Sequence, residues 1–423
     1  MLRPGKRDGR GGRAGTNLER FLALELSAFG FFGLFWGCFA VLLADLSGAL
    51  GLSPGPLGVA LLVGAGASIA SMGALGWASD RMGRRVYLIL AAVVFGAGIT
   101  GLAFSGSYAA LLATLVVLYS SSGLYDVGIN ATAVDLERLS GRRLMPYLHA
   151  AFSGGAMTGA VATGALRQAG TDYRLVYLAL LLPLGALVAA FAMARFPRSD
   201  AEAPGGDRPP DGASPGPVSE VGRWDLYRNG PLLLVAAITC LGMLAEGEME
   251  HWSGIYLRDT LGLAAIVGGS GVAVFYGAQA LGRLAIGWLV GRVGNRLTLL
   301  GSGALVAGGM LVALATTSPV LVVSGFLLVG LALAAIAPVA FSVGGEMVPD
   351  RAGSAVSVVT TVGYGGFLLG PPLVGGIAEI TGLRMALGII AAAGLSVFAL
   401  SLALREPPSD AAAEKHALAE ADG

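Results

Sequence analysis

A few polar side chains interrupt otherwise apolar segments, and these are the residues that could do chemistry. Asp126 and Asn130 are four apart and share one face of a helix. A carboxyl beside a carboxamide can hold a polar solute by hydrogen bonds. The carboxyl can instead carry a proton, or simply satisfy a neighbouring helix. His149, with Ser153 one turn on, suits a gate, a helix-pair contact or a solute contact. Glu246, Glu248 and Glu250 crowd one short stretch. Glu246 and Glu250 share a face and Glu248 turns away, so at least one acid is expected to face water. Trp252 and Tyr256 share a face and can stack on a ring-shaped solute or anchor at an interface. Tyr276 and Gln279 can hydrogen-bond a solute or another helix, and Tyr364 is a further cavity candidate. Arg283 is expected to snorkel inward or to meet an acid such as Glu346, and Glu137 and Arg138 to join an ion-pair network at a loop edge. No spacing fits a metal site, and no nucleophile–base–orienter set is readable. The glycine-rich stretches lack the lysine and strand of a phosphate loop. The expectation is therefore no enzyme, no metal and no cofactor.

The elements that position these groups follow from composition. The chain has 423 residues, 55% hydrophobic and 13% charged, with a mean hydropathy of +0.74. Soluble domains carry about 25% charged residues. Runs such as "FGFFGLFWGCFAVLLA" (29–44) and "VYLILAAVVFGAGITGLAF" (86–104) hold no charge. About 18 apolar residues suffice to cross a bilayer as a helix. Twelve spans are expected: 21–46, 54–78, 86–104, 107–134, 146–168, 174–196, 230–257, 263–290, 297–315, 318–344, 354–379 and 382–404. The runs are too long, and too little alternating, for barrel strands, and backbone groups in lipid must be satisfied locally. The fold class is thus an all-α membrane protein. Asp126 falls about 13 Å from the inner end of the fourth span at 1.5 Å per residue, and ionisable groups at such depth are functional candidates. Cys38 and Cys240 lie in apolar runs and read as packing residues.

Basic residues orient the chain. With the N-terminus inside, 22 Lys and Arg fall on the cytoplasmic face and 4 on the other, with Arg283 inside a span. That asymmetry places both termini in the cytoplasm. The first apolar run reads as a retained helix, not a cleaved signal. Five regions follow: a cytoplasmic tail (1–20), a six-helix bundle (21–196), a proline-rich flexible linker (197–229), a second six-helix bundle (230–404) and a C-terminal tail (405–423). The only macromolecular surface implied is membrane lipid. Nucleic acid is not expected, and the oligomeric expectation is a monomer.

The two bundles repeat one another. "GWASDRMGRRV" (76–86) aligns with "GWLVGRVGNRL" (287–297), pairing Arg81 with Arg292, Gly83 with Gly294 and Arg85 with Arg296. Each patch follows the second span of its half, the pattern of transporters built from parallel repeats. The first copy resembles the loop signature of the major facilitator superfamily, G-x-x-x-D-R-x-G-R-R. The resemblance implies a twelve-helix fold in two pseudo-symmetric halves. It also implies that Asp80, Arg81 and Arg85 latch onto the neighbouring half at the inner gate, with Gly83 at the turn. The second copy has Gly291 in place of Asp80.

"GLYDVGINATAVDLERLSGRRLMPYLHAAFSGGAMTGA" (123–160), "AEGEMEHWSGIYLRDTLG" (245–262) and "TTVGYGGFLLGPPLVGGIAEITGLRMAL" (360–387) are similar to a bacterial branch that groups with fucose-permease-like members. Where that branch has an acid before the tryptophan of its seventh helix, this chain has His251, with Glu250 beside it. The resemblance implies a secondary active transporter of the inner membrane, with a proton as the coupling ion, a symporter for a small polar or sugar-like solute. Two alternatives stand beside it: proton-driven export of a metabolite or drug-like compound, and a non-transporting membrane sensor or assembly protein on the same fold.

Overall fold

The computed structural model describes residues 10–142, 144–194, 196, 225–348 and 351–404. Ten helices among them are long and apolar enough to cross a membrane. One of these, Ala265–Ala315, is two helices joined at Gly294, whose φ of 81° breaks the helical path. Met145–Gln168 brings the number to twelve. Its glycines, serines and threonines dilute its hydropathy because they serve close packing.

The spanning helices are α1 (Arg10–Ala49), α2 (Pro54–Leu75), α3 (Arg84–Phe104), α4 (Tyr108–Ser140), α5 (Met145–Gln168) and α6 (Tyr173–Met193). They continue as α7 (Gly230–Ile255, prolonged by a wider π turn Tyr256–Thr260), α8 (265–293), α9 (295–315), α10 (Pro319–Met347), α11 (Ala352–Thr381) and α12 (Leu383–Leu402). The α1 backbone is helical back to Arg10, inside the stretch read as a tail. Of the linker, a 3-10 turn over Leu226–Arg228 is described, and the C-terminal tail lies outside the described residues.

Lipid supplies no hydrophobic drive between helices, so spans associate through close van der Waals contact at small residues. In α1, Gly33 faces the Phe152 carbonyl and Gly37 the Ala156 carbonyl of α5. In return, Gly155 and Gly159 of α5 face the Gly30 and Leu34 carbonyls of α1. A Cβ at any of these four glycines would overlap backbone. The corresponding pair of the second half, α7 and α11, uses the same device: Gly366 lies on the Cys240 carbonyl.

Two compact units cut across the sequence halves. The first unit joins residues 1–216 with 249–280 and 371–386. Within it, Gly254 of α7 meets the Ala40 carbonyl of α1, and Gly269 of α8 meets the Ala160 carbonyl of α5. Gly58 of α2 meets the Pro371 carbonyl of α11. The second unit comprises residues 217–248, 281–370 and 387–423. Its α9 packs Gly309 on the Gly325 carbonyl of α10 and Gly303 against Gly394 and Phe398 of α12.

The repeated loops share one architecture. Gly83 has a φ of 79°, the counterpart of Gly294. A left-handed backbone is open to glycine at little cost, and each loop needs it to reverse direction. Arg81 lies 4.7 Å over the Trp77 ring and Arg292 lies 4.2 Å over Trp288. Arg85 donates to the Ala192 carbonyl at the end of α6. Arg296 donates to the Ser401 and Leu402 carbonyls at the end of α12, at 3.3 and 2.9 Å. Each arginine thus meets the electron-rich end of the last helix of its own half, where a cation is favoured.

Candidate functional site

The first compact unit gathers most of the candidate residues. Asn130 Nδ2 donates to Asp126 Oδ1 and to the Asp126 carbonyl, both at 2.9 Å. The two side chains form one half-buried polar group on α4. Two turns towards the start of α4, Tyr119 Oη lies 3.1 Å from His251 Nε2 of α7, both buried. The histidine that departs from the branch pattern therefore meets a phenol. Glu250, half-buried, acts on the same tyrosine through its charge.

Trp252 and Tyr256 are wholly buried and offer no face to a solute in this packing. The close approach of Gly254 to α1 draws this stretch of α7 inward. Tyr276 and Gln279 of α8 are also buried, Tyr276 against Phe275 with ring centroids 5.5 Å apart. His149 is exposed and turns its ring edge towards Phe29 of α1, 5.4 Å away. A groove of about 560 Å³ between α1, α5 and α6, lined by Leu24, Gly30, Thr158 and Leu187, contains none of these residues.

The strongest electrostatic feature of this unit is at Asp45, near the end of α1. Its carboxylate accepts from Arg167 of α5 at 2.6 Å and from both terminal nitrogens of Arg258 in the π turn after α7, one at 2.9 Å. Arg167 also donates to the Thr171 carbonyl. At the same end of the unit, Glu379 of α11 accepts from the Gly55 backbone N–H at 2.7 Å, at the start of α2. These contacts join first-half helices to second-half helices. A second carboxyl missed by sequence reasoning is Glu25, at 0% exposure, with neither oxygen hydrogen-bonded among the described residues. The signal was available: both acids lie inside the first span, where the cost of an ionisable group applies.

In the second unit, Arg283 pairs with Glu246 at 3.1 Å. This corrects the expected partner, Glu346, which accepts instead from Ser342 one turn earlier on its own helix. Glu248 is fully buried, turned away from the half-buried Glu246. Tyr364 is 47% exposed. The loop residues Arg292 and Arg296 hold the contacts given above. In the first unit Arg81 and Arg85 likewise meet partners in their own half, while the Asp80 side chain lies outside the described residues. Arg84 takes a role sequence reasoning did not assign. It pairs with Asp135 of α4 at 3.0 Å and donates to Ser79. Glu137 caps the start of α5, accepting from the Leu144 and Met145 N–H groups at 2.5 and 2.9 Å. Among the described residues no cluster of three or more His, Cys, Asp or Glu side chains could hold a metal.

Comparison with known proteins agrees with this architecture. The sequence profile of the Major Facilitator Superfamily matches residues 26–277 and 252–421. An uncharacterized MFS-type transporter of Yersinia pestis is 30% identical over 378 residues, 89% of this chain and 94% of that protein. Membrane protein MosC of Rhizobium meliloti is 28% identical over 389 residues, covering 92% and 91%. Among solved structures, the nucleoside transporter NupG superposes with a TM-score of 0.73 at 14% identity, covering 91% of this chain and 98% of its own. A bacterial homolog of the human lysosomal transporter Spinster, inward-facing and unoccupied, gives 0.72 at 16%, covering 93% and 99%. At these identities the structural likeness speaks for the fold.

Proposed function

The chain belongs to the Major Facilitator Superfamily, and on that premise we propose that this multi-pass membrane transporter moves a small polar solute across the inner membrane by proton-coupled alternating access. The observation that carries the reading is the clasp at Asp45. One carboxylate ties α1 and α5 to the end of α7, and Glu379 ties α11 to α2 at the same end. Alternating access requires contacts between the halves that close one mouth and release when it opens. A charged clasp suits that task, since water can replace its hydrogen bonds once the helices part. The excess of basic residues on the opposite face supports an extracytoplasmic side for this mouth and cytoplasmic termini.

Asp126 and Asn130 are the groups best arranged to hold a solute. They are already paired, half-buried, and offer unused acceptor oxygens of a carboxylate and a carboxamide in one place. That chemistry fits a hydroxyl-bearing solute. Nucleosides, named for NupG, and hexoses both belong to the class. The test is uptake into proteoliposomes under an imposed pH gradient with a panel of labelled hexoses and nucleosides. Accumulation that collapses with a protonophore and is lost in Asp126→Asn is the expected result. Saturable binding by thermal shift with no flux for any bound solute would overturn transport in favour of a sensor.

A further inference from the structure

We propose that Glu25 is a proton-binding site whose occupancy changes over the conformational cycle. Three observations on α1 carry this. The side chain is at 0% exposure, and neither carboxyl oxygen meets a donor among the described residues. The residues one turn away on the same helix, Phe21, Ala28 and Phe29, are apolar and buried. The nearest phenol, Tyr125 of α4, is turned elsewhere: its hydroxyl donates to the Ala28 carbonyl at 3.3 Å.

Other carboxyls of the unit are answered. Asp45 has two arginines, Asp135 has Arg84, Asp126 has Asn130, and Glu379 has a backbone N–H. An ionised carboxylate left without charge or hydrogen-bond partner in an apolar wall is strongly disfavoured. A proton removes that penalty and needs no ligand set. A hard cation needs several further oxygens, and the surroundings are phenylalanine, alanine and one occupied phenol.

The groups facing this site are few. From α4 comes Tyr125, whose hydroxyl is engaged by the Ala28 carbonyl. From α5 comes His149, through its contact with Phe29. The chain just beyond α6 approaches with Phe196, against Phe21 at 5.0 Å. The ionisable residues of α6, Tyr173, Arg174 and Tyr177, lie at the opposite end, with Tyr177 near Asp45. No cation among these neutralises the carboxylate, so ionisation requires a rearrangement that brings water or a donor to α1. Proton release is thereby tied to helix movement. It also separates two tasks: Asp126, already hydrogen-bonded, suits the solute, and Glu25 suits the proton.

The coupling role rests on the transport reading, but proton binding itself does not. The experiment is infrared difference spectroscopy on the purified full chain, following the carbonyl stretch of protonated carboxylic acid, with deuterium exchange to identify it. A carboxylic acid band of Glu25 that titrates with pH is expected in the wild type, distinct from any band of the other fully buried acid among the described residues, Glu248. It should be lost in Glu25→Gln, kept at a shifted frequency in Glu25→Asp and unchanged in Asp126→Asn. A wild-type spectrum without the band, or one identical to that of Glu25→Gln in this region, overturns the proposal. No solute is needed, so failure of the uptake assay would sink the transport reading while leaving this result standing, and the converse also holds.

Discussion

Replacing Asp45 by Asn should open the mouth that this residue closes. The carboxylate is 6% exposed, Arg258 18% and Arg167 21%. Removing one partner of a fully buried ion pair costs about 3–5 kcal/mol, whereas exposed pairs contribute about 0–1 kcal/mol. Both arginines keep some contact with solvent, and Arg167 retains the Thr171 carbonyl. An intermediate value of about 2 kcal/mol follows, or roughly 30-fold in the equilibrium between closed and open mouths. The assay is maleimide labelling of a cysteine at Ser47, 5% exposed beside the clasp, in a background lacking Cys38 and Cys240. Labelling should accelerate by roughly that factor in Asp45→Asn. Arg258→Gln should match it and Arg167→Gln should do less, because Arg258 makes two bonds to the carboxylate and Arg167 one. A control cysteine at Ser302 of α9, equally buried, should stay slow. Unchanged labelling at Ser47, or equal acceleration at Ser302, would refute the reasoning, the first by denying the clasp and the second by showing general loosening.

The remaining predictions concern the scaffold. Gly37→Val should remove most folded protein in fluorescence-detected size exclusion, because its side chain would enter the Ala156 backbone. Overpacking costs about 1–3 kcal/mol and more where backbone must move. Gly66→Ala, with open space around it, should behave as wild type. Arg85→Ala and Arg296→Ala should each lower the melting temperature by a similar amount. Each loses hydrogen bonds to the carbonyl end of a helix, about 1–2 kcal/mol in all. A large fall for one and none for the other would break the equivalence of the two loops.

What the amino-acid sequence determined by itself was local or repetitive. Apolar runs set the twelve helices, because backbone groups in lipid must pair within their own segment. The 3.6-residue period put Asn130 over Asp126, a contact four residues long that needs no other helix. The glycine at each repeated loop announced a reversed backbone, and the matching φ values of Gly83 and Gly294 follow from the same steric rule. Tertiary structure alone decided the long-range partners. Tyr119 and His251 are 132 residues apart, and Asp45 and Arg258 are 213. Periodicity says which face of a helix is polar, but not which other helix will lie against it. Arg283 shows this: sequence pointed to Glu346, whereas the neighbouring α7 presented Glu246. Trp252 and Tyr256 show it again, since Gly254 lets α7 press into α1 and covers rings that a single helix would leave open. Glu25 depends on it most. Its type and depth were readable in the chain, but that no donor among the described residues meets its carboxyl is a property of every helix packed around it.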